Sequence, residues 1–279
     1  MAIAPRVTRR GRSISVWAVL GILVALTYAP ILVVLSVSVK DSAQFYNSFW
    51  GISLPFHWEN FGNAGAVLAP YLLNSIIVSG SSMAGVVVLS CFAAYAFARF
   101  RFAGREVLYY MVLALMMIPG VLTLVPQFLL VKNLGLLETR WALILPYIAS
   151  GQVLAIFIMR AFFAGLPEEL FESARIDGAG ELSAFWRIAL PLTKPVLGTV
   201  AIIQLLATWN DYVWPFVVTQ QTPDLYTLVV GLVSFTGRHS TDWGLLMAGN
   251  ILAALPLVVV FLFAVRYFVQ GLTAGALKV

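Results

Sequence analysis

Two polar residues between aromatic rings are the first candidates for contact with a solute. Asn210 and Asp211 lie within Trp209-Asn210-Asp211-Tyr212-Val213-Trp214-Pro215, inside a long apolar region. Aromatic faces stack on the CH-rich faces of sugars, and an amide beside a carboxylate pairs with hydroxyl groups. Tryptophans at a membrane interface form an aromatic belt, which explains the same rings equally well. The candidate solute-contacting residues are Trp209, Asn210, Asp211 and Tyr212, with the belt as the alternative.

Further polar residues lie within apolar runs, where each must face protein or a water-filled path. They are Asn74, Gln127, Gln152, Gln204 and Asn250. Most are expected to hold helices together by interhelical hydrogen bonds. Gln127 and Asn250 are also candidates for lining a path. Pro119 and Pro126 interrupt the third run, as a packing kink, a hinge or the wall of a cavity.

The sequence excludes several chemistries. It contains no H-E-x-x-H or G-x-S-x-G motif and no Gly-Lys dipeptide, so metalloprotease, serine-hydrolase and P-loop ATP sites are absent. Cys91 is the single cysteine, which excludes an internal disulfide. His57 and His239 lie far apart, do not form a metal site and are expected to be solvated loop residues.

The composition excludes an ordinary soluble domain. Of 279 residues, 61% are hydrophobic and 10% charged, with a mean hydropathy of +0.93. A soluble domain has about 45–50% apolar and about 25% charged residues. The excess apolar surface must therefore face lipid.

Runs without Asp, Glu, Lys or Arg predict six membrane-spanning helices, each needing about 20 apolar residues. The runs are Ser13–Val39, Asn60–Ala98, Val107–Val131, Trp141–Met159, Pro195–Asn210 and Trp243–Val265. Pro70 predicts that the second helix begins near Tyr71, which leaves 60–69 as an outer loop. The fifth helix is expected to continue past Asp211 through Trp214. The prediction is an all-α polytopic membrane protein, with a basic tail over 1–15, six helices within 16–268 and a tail over 269–279.

Basic residues orient these helices, because they accumulate on the cytoplasmic side of a membrane. Four arginines precede the first helix: Arg6, Arg9, Arg10 and Arg12. Of the 17 basic residues, those on the outer side would be Lys40, Lys132, Arg140 and Arg238. Both termini are therefore expected in the cytoplasm. The net charge of +5 reflects insertion polarity and anionic inner-leaflet lipid, and not a nucleic-acid partner.

The loop over 163–195, between the fourth and fifth spans, carries helical signals of its own. Leu166-Pro167-Glu168-Glu169 places a proline and two acids where a helix begins. Gly178 stands where a left-handed residue would end that helix, and a second helical stretch, Glu181–Leu190, ends against Pro191. The pattern predicts a cytoplasmic helix-turn-helix that docks a partner, or else an amphipathic surface helix without one. The aromatic residues expected to be available for packing are Phe171, Phe185 and Trp186.

Three segments resemble the permease subunits of binding-protein-dependent ABC importers, in the maltose-permease type of the carbohydrate branch. The loop is similar to the EAA loop of that family in Glu172-Ser173-Ala174, Asp177-Gly178-Ala179, Ile188 and Leu190-Pro191, with Ser173 where the motif has Ala. The other two segments are Trp209–Pro215 and the carboxyl tail Gly271–Lys278. The resemblance extends from about Trp17 to the end of the chain.

The resemblance implies a heterodimer of two permeases in membrane lipid, two cytosolic ATPases and an external solute-binding protein or lipoprotein. This chain would be one permease and no enzyme, and the ATPases would bind ATP and Mg²⁺. The loop helix would sit in an ATPase cleft and move as a lever. The implied coupling residues are Glu172, Ala174, Arg175, Asp177, Gly178, Ala179, Ile188, Leu190 and Pro191. The implied ATPase-contacting tail residues are Gly271, Thr273, Gly275 and Lys278.

An ion-coupled secondary carrier is the competing class, and it is expected to place ionisable residues near the membrane midplane. Here the middle of every predicted span is uncharged, so the long loop favours the ABC permease. Members of the resembled family carry maltose, trehalose, other oligosaccharides or glycerol phosphate. The expected substrate is a disaccharide or oligosaccharide, with glycerol phosphate or another polar solute as the alternative.

Overall fold

A computed structural model describes residues 9–233, 235–236 and 241–276, and the side chains of 16–233, 235–236, 241–263 and 265. His239, Arg238, Arg6 and Lys278 lie outside the described residues. The chain divides into two units. The first comprises Met1–Val67 and Ser234–Ala254, and the second comprises Leu68–Val233 and Leu255–Val279.

The regular structure of the described residues is helical, apart from one bridge between Thr236 and Thr241. The helices are α1 (Arg9–Ser38), α2 (Ser42–Asn47), α3 (Glu59–Arg99), α4 (Arg105–Ala114), α5 (Gly120–Asn133), α6 (Trp141–Ala164), α7 (Glu169–Ile176), α8 (Glu181–Ala184), α9 (Leu190–Trp209), α10 (Val213–Thr219), α11 (Leu228–Val233) and α12 (Trp243–Ala276). Short 3₁₀ turns cover Leu115–Met117 and Pro223–Leu225, and a π-helical segment covers Phe185–Ala189. The all-α prediction is confirmed.

Five helical stretches in the described chain are long and apolar enough to cross a membrane. They are Val16–Ser38, Glu59–Arg99, Trp141–Ala164, Glu181–Trp209 and Trp243–Phe263. Arg105–Met117 and Gly120–Asn133 pass the same test as a pair, although they are bent by 104°. The count equals the predicted six when the bent pair is taken as one span.

The predicted outer loop over 60–69 is wrong. α3 begins at Glu59 and continues through Pro70 to Arg99. A proline inside a helix removes one backbone hydrogen bond, but membrane helices tolerate it where other groups satisfy the freed carbonyl. The charge-free run was therefore a better guide to this helix than its proline.

The third predicted span bends at Pro119. Ile118 is extended, with φ −85° and ψ 114°, because a residue before proline is disfavoured in the α conformation. Pro126, in contrast, stays inside α5. Ile118, Pro126 and Gln127 belong to the wall of a cavity of about 730 Å³. These contacts agree with the cavity-wall interpretation of this break, and the packing kink and the hinge stay open.

The fifth span begins earlier than predicted, because the stop at Pro191 is wrong. The π-helical segment Phe185–Ala189 continues directly into α9, so Glu181–Trp209 is one apolar stretch. Pro191 cannot donate to the carbonyl of Arg187, which an α-helix would require. The wider π turn directly before the proline accommodates this missing bond. The helix-turn-helix is thus α7 followed by the start of the fifth span itself.

An apolar cluster in the second unit joins α7 to α3, α6 and α9. Its buried members are Val86, Cys91, Ala94, Tyr95, Ala155, Met159, Phe163, Phe171, Ala184, Phe185, Ala189, Val196 and Val200. Phe171 and Phe185, which were expected to be available for packing, are buried in this cluster. Trp186 remains 52% exposed.

Polar residues between helices act mostly as predicted. Asn74 is buried, donates to the carbonyl of Asp224 at 2.7 Å and accepts two bonds from the guanidinium of Arg140. Gln204 on α9 donates to the carbonyl of Tyr147 on α6 at 3.3 Å. These bonds join separate elements of the second unit, which confirms the structural role expected of such residues.

In the first unit, Lys40 fixes the segment between α1 and α3. The residue is 1% exposed, and its Nζ donates to the carbonyls of Ser48, Phe49 and Gly51 at 2.7, 2.9 and 2.7 Å. Burial lowers the pKa of Lys40, while the three acceptors satisfy its charged form.

His57 is a loop residue, as expected, but it is half-buried and contacts two carboxylates. Its Nδ1 lies 2.5 Å from Glu59 Oε1, and its Nε2 lies 3.5 Å from Asp41 Oδ2. The sequence showed no motif that pairs His57 with these two carboxylates.

Gly151 permits the close approach of α6 to α9. A Cβ at this position would collide with Gln204 Oε1 and lie 2.7 Å from Val86 Cγ2. Gly80 in α3 has nothing within 4 Å of the same point. We expect Gly151→Ala to lower stability by about 1–3 kcal/mol through overpacking. Gly80→Ala should be neutral or stabilising by up to about 1 kcal/mol. Thermal unfolding of the detergent-solubilised protein measures both, and equal midpoints would contradict the close approach.

Candidate functional site

α7 is a short amphipathic helix whose position depends on one side chain. Glu169 and Glu172 lie in its first turn and Arg175 in its last, in agreement with the helix dipole. An isolated helix of eight residues is unstable in water. Phe171 is the buried residue of α7, at 2% exposure. Its insertion in the apolar cluster therefore holds α7 against the membrane helices.

The end of α7 is a Schellman motif centred on Gly178. The N–H of Ala179 donates to the carbonyl of Ala174 at 2.8 Å, and the N–H of Gly178 donates to the carbonyl of Arg175 at 3.0 Å. Gly178 has φ +77°, so the left-handed conformation predicted for it is present. A glycine is needed for this backbone conformation and not for space, because a Cβ would meet nothing within 4 Å.

The tip of α7 presents charge and apolar surface together. Glu172, Asp177 and Gly178 are exposed, and Ile176 is 85% exposed. Among the described side chains, Glu172 has no ion-pair partner. An unpaired carboxylate beside an exposed isoleucine is suited to a partner that supplies a cation and an apolar contact.

Several other residues implied in coupling are occupied within the fold. Arg175 pairs with Glu168 at 3.5 Å and with Glu181 at 3.3 Å, which links α7 to α8. Ile188 and Leu190 pack against the apolar cluster. Ala174 and Ala179 are half-buried in the helix end, and Pro191 is exposed. The surface open to a partner is therefore the tip at Glu172, Ile176, Asp177 and Gly178, and direct coupling by the rest stays a prediction.

A second feature of the same unit is a cleft of about 330 Å³ between α6 and α9. Its apolar wall includes Val86 of α3 and Leu154 of α6. Its polar side chains are Tyr147, Ser150, Gln204, Thr208 and Asp211. Hydroxyl, amide and carboxylate groups thus face one space.

Asp211 lies where the fifth span breaks. Its Oδ2 accepts a hydrogen bond from the Tyr147 hydroxyl at 2.8 Å, and its Oδ1 accepts from the N–H of Val213 at 3.0 Å. The second bond satisfies a free backbone donor at the start of α10, as a helix cap does. The predicted continuation of the helix through Trp214 is wrong, because α9 ends at Trp209 and a new helix begins at Val213.

Of the six candidate path residues, the structure places Asp211 in this cleft. Trp209 is 5% exposed and packs inside the protein, as does Trp214, so neither is an exposed stacking surface or belt residue. Tyr212 stacks on Phe216, and Asn210 donates to the carbonyl of Leu206 at 2.9 Å.

The other two candidates lie elsewhere. Gln127 lines the separate cavity at the bent span. Asn250 belongs to the first unit, where its Nδ2 donates to the carbonyl of Leu246 at 2.8 Å. Neither belongs to the cleft that contains Asp211.

Sequence reasoning missed four polar residues of the cleft. Gln204, Thr208 and Asp211 are spaced by four and three residues, which places them on one side of a helix. Gln204 was recognised only as a contact between helices, and this spacing would have assigned it and Thr208 to the cleft. Tyr147 and Ser150 come from α6, and nothing in their local sequence pairs them with Asp211.

A match to a protein family covers the part of the sequence that includes α7 and the cleft residues. The model of the family described as "Binding-protein-dependent transport system inner membrane component" matches residues 85–274. The chain belongs to this family. It is a multi-pass membrane protein whose transport system includes a solute-binding protein and ATPases.

Curated relatives extend the similarity to most of the chain. The probable ABC transporter permease protein YurM of Bacillus subtilis is 34% identical, over 95% of this chain and 88% of that protein. The diacetylchitobiose uptake system permease protein NgcG of Streptomyces coelicolor is 35% identical, over 89% and 83%. The sn-glycerol-3-phosphate transport system permease protein UgpE of Yersinia pestis is 36% identical, over 95% and 97%. This chain is accordingly an ABC importer permease, a transport component rather than an enzyme.

A solved structure supports the fold. A chain of a bacterial ABC transporter involved in the import of the acidic polysaccharide alginate matches with a TM-score of 0.80. The match covers 95% of this chain and 100% of that chain at 23% sequence identity.

The permease should tolerate a side chain at Gly180 but not at Gly178. Both glycines are exposed and open, but Gly180 has φ −73°. Valine at position 178 must adopt φ near +77°, which costs about 1–2 kcal/mol and changes the end of α7. We expect Gly178→Val to lower substrate uptake several-fold, while Gly180→Val and Gly178→Asn retain most of it, since asparagine tolerates this conformation. Uptake in cells measures this, and similar uptake by both valine variants would show that the helix end is not needed.

Proposed function

We propose that this permease passes a neutral disaccharide or oligosaccharide through the cleft between α6 and α9. The main support for this proposal is the composition of the cleft wall, which combines hydroxyl, amide and carboxylate groups with apolar surface. Sugar hydroxyls need paired donors and acceptors, and the volume of about 330 Å³ is within the usual range of small-molecule sites. Relatives named for arabinooligosaccharides and diacetylchitobiose support a carbohydrate.

Glycerol phosphate is the second candidate, because relatives named for it are as similar to this chain as those named for sugars. The charge of the cleft disfavours a phosphate. Asp211 contributes a carboxylate, and no Lys or Arg lines the cleft among the described residues. An anion would therefore meet a like charge without a compensating cation.

The assembly we propose contains a second permease beside this one, with both termini of this chain in the cytoplasm. The α1 span, Val16–Ser38, has no buried residues in its most apolar window, so it can face lipid or the second permease. The distribution of basic residues supports the orientation. ATP and Mg²⁺ would be bound by the ATPases, since this chain has no Gly-Lys dipeptide for a phosphate loop.

The ATPases would dock on the tip of α7. Its free carboxylate at Glu172 and exposed Ile176 are the contacts a partner could use, whereas a simple surface helix would gain little from an unpaired acid beside an isoleucine. A cationic ATPase residue opposite Glu172 would contribute a charge-assisted bond.

The carboxyl tail remains a second proposed contact with the ATPases. α12 continues to Ala276, so Gly271, Thr273 and Gly275 lie on this helix and not in a separate tail beginning at residue 269. Lys278 lies outside the described residues.

The decisive test replaces the charge of Asp211 and keeps its shape. In Asp211→Asn, the side chain can still cap Val213 and bond Tyr147, so a change in uptake reports the carboxylate. Asp224→Asn is the matched control, because Asp224 is exposed and does not line the cleft. We expect uptake of a labelled oligosaccharide by the reconstituted complex to fall about tenfold in Asp211→Asn, equivalent to about 1.4 kcal/mol.

Uptake equal to that of the Asp224→Asn control would contradict the proposed path. Glycerol 3-phosphate is measured in parallel. Uptake of glycerol 3-phosphate by the wild type above that of the oligosaccharide would favour the second candidate, whereas a rise seen only in Asp211→Asn would show that the carboxylate repels it. ATPase activity of the same preparations reports whether the complex is assembled.

A further inference from the structure

Arg99, the last residue of α3, connects that helix to the start of α7. Its side chain is 10% exposed, and its Nη1 lies 3.0 Å from Glu168 Oε2. Its guanidinium carbon lies 3.6 Å from the centre of the Phe171 ring. One cation therefore binds both the residue that precedes α7 and the side chain that anchors it.

The contact at Arg99 differs in burial from the other ion pairs of the loop. Glu168 also forms an ion pair with Arg175, and Arg175 forms one with Glu181, but these three side chains are 47–53% exposed. Exposed pairs contribute little. The Arg99 side chain is instead 10% exposed, although its partner Glu168 is 53% exposed, and it also lies against the Phe171 ring. The Arg99 guanidinium is therefore the member of this chain of charges that can hold α7 in place together with Phe171.

Two donors beside this contact are unused. Arg99 Nη2 and the Tyr95 hydroxyl are buried and have no hydrogen-bond partner among the described residues. They lie four residues apart and therefore on one side of α3. A spare donor allows Arg99 to form a new bond with Glu168 if α7 shifts, so the contact can persist through a movement.

α3 leads from Arg99 to the cleft. Val86, 13 residues earlier and about 20 Å along the helix, contributes to the cleft wall. Its carbonyl accepts a bond from Gln152 Nε2 at 3.5 Å, and its side chain faces Gly151. A displacement of the inner end of α3 would therefore alter the cleft at its contact with α6.

We propose that Arg99 is a positioning residue that makes α7 and α3 move together, so that ATPase movement reaches the cleft through α3. This inference rests on the proposed docking of the ATPases at α7. Arg99 does not touch the solute or the ATPases. Its role is to keep the anchor of α7 attached to a helix that forms the cleft wall.

The test compares Arg99→Met and Arg99→Lys with Arg101→Met in the reconstituted complex with its ATPases and solute-binding protein. Methionine keeps length and apolar contact without charge, and lysine keeps the charge without the planar group. Arg101 is an exposed arginine two residues further on. The measured quantities are solute molecules imported per ATP hydrolysed and the stimulation of ATPase activity by the solute-binding protein.

We expect Arg99→Met to retain assembly and basal hydrolysis, with at least a fivefold fall in both quantities. Arg99→Lys should fall between it and the wild type, and Arg101→Met should match the wild type. An unchanged import ratio and unchanged stimulation in an assembled Arg99→Met complex would overturn the proposal. The solute-binding protein is supplied in the same form to every variant, so a wrong substrate would abolish uptake in all variants and leave the comparison of stimulation between them intact.

A charge exchange provides a second route if Arg99→Met does not assemble. Arg99→Glu and Glu168→Arg should each lower stimulation, and the double variant should recover at least half of it. Failure of the double variant to recover, with the complex assembled, would also overturn the proposal.

Discussion

The insertion of Phe171 into the apolar cluster is the contact on which the arrangement of the loop between α6 and α9 depends. α7 is too short to be stable alone, and Phe171 is its one fully buried residue. Burial of a phenylalanine contributes about 1.5–3 kcal/mol, enough to fix one side of a short helix. Because Phe163, Phe185 and Val200 share the same cluster, α7 is packed on the ends of the membrane helices rather than suspended between them.

The break in the fifth span places the carboxylate of Asp211 in the cleft. The fifth span stops at Trp209. The carboxylate of Asp211 then accepts one hydrogen bond from the N–H of Val213, at the start of the next helix, and one from the hydroxyl of Tyr147. The polar atoms released by a break are tolerated in a membrane where they line a cavity. The loop proposed to contact the ATPases and the cleft proposed to contact the solute are thus connected by continuous helices, α3 and α9.

The sequence predicts what depends on charge-free length and on local backbone chemistry. The apolar runs locate the spans, and Gly178 has the left-handed conformation that its position indicated. The prediction failed where distant groups decide. The π segment before Pro191 has no local sequence pattern that predicts it. The hydrogen-bond partner of Asp211 is Tyr147, which is 64 residues away in the sequence. The sequence indicated that Phe171 is available for packing, but an apolar side of a helix does not by itself show whether it packs against its own protein or against another.

The central claim, that the tip of α7 contacts the ATPases on the inner side, is tested most directly by site-specific photocrosslinking in native membranes. A benzophenone amino acid is placed at position 176 or at position 52, where the wild-type isoleucines are 85% and 83% exposed and the second lies in the predicted outer segment. The account predicts a covalent adduct with the ATPase from position 176 and none from position 52. No ATPase adduct from position 176 in an assembled complex, or an ATPase adduct from position 52, would contradict it.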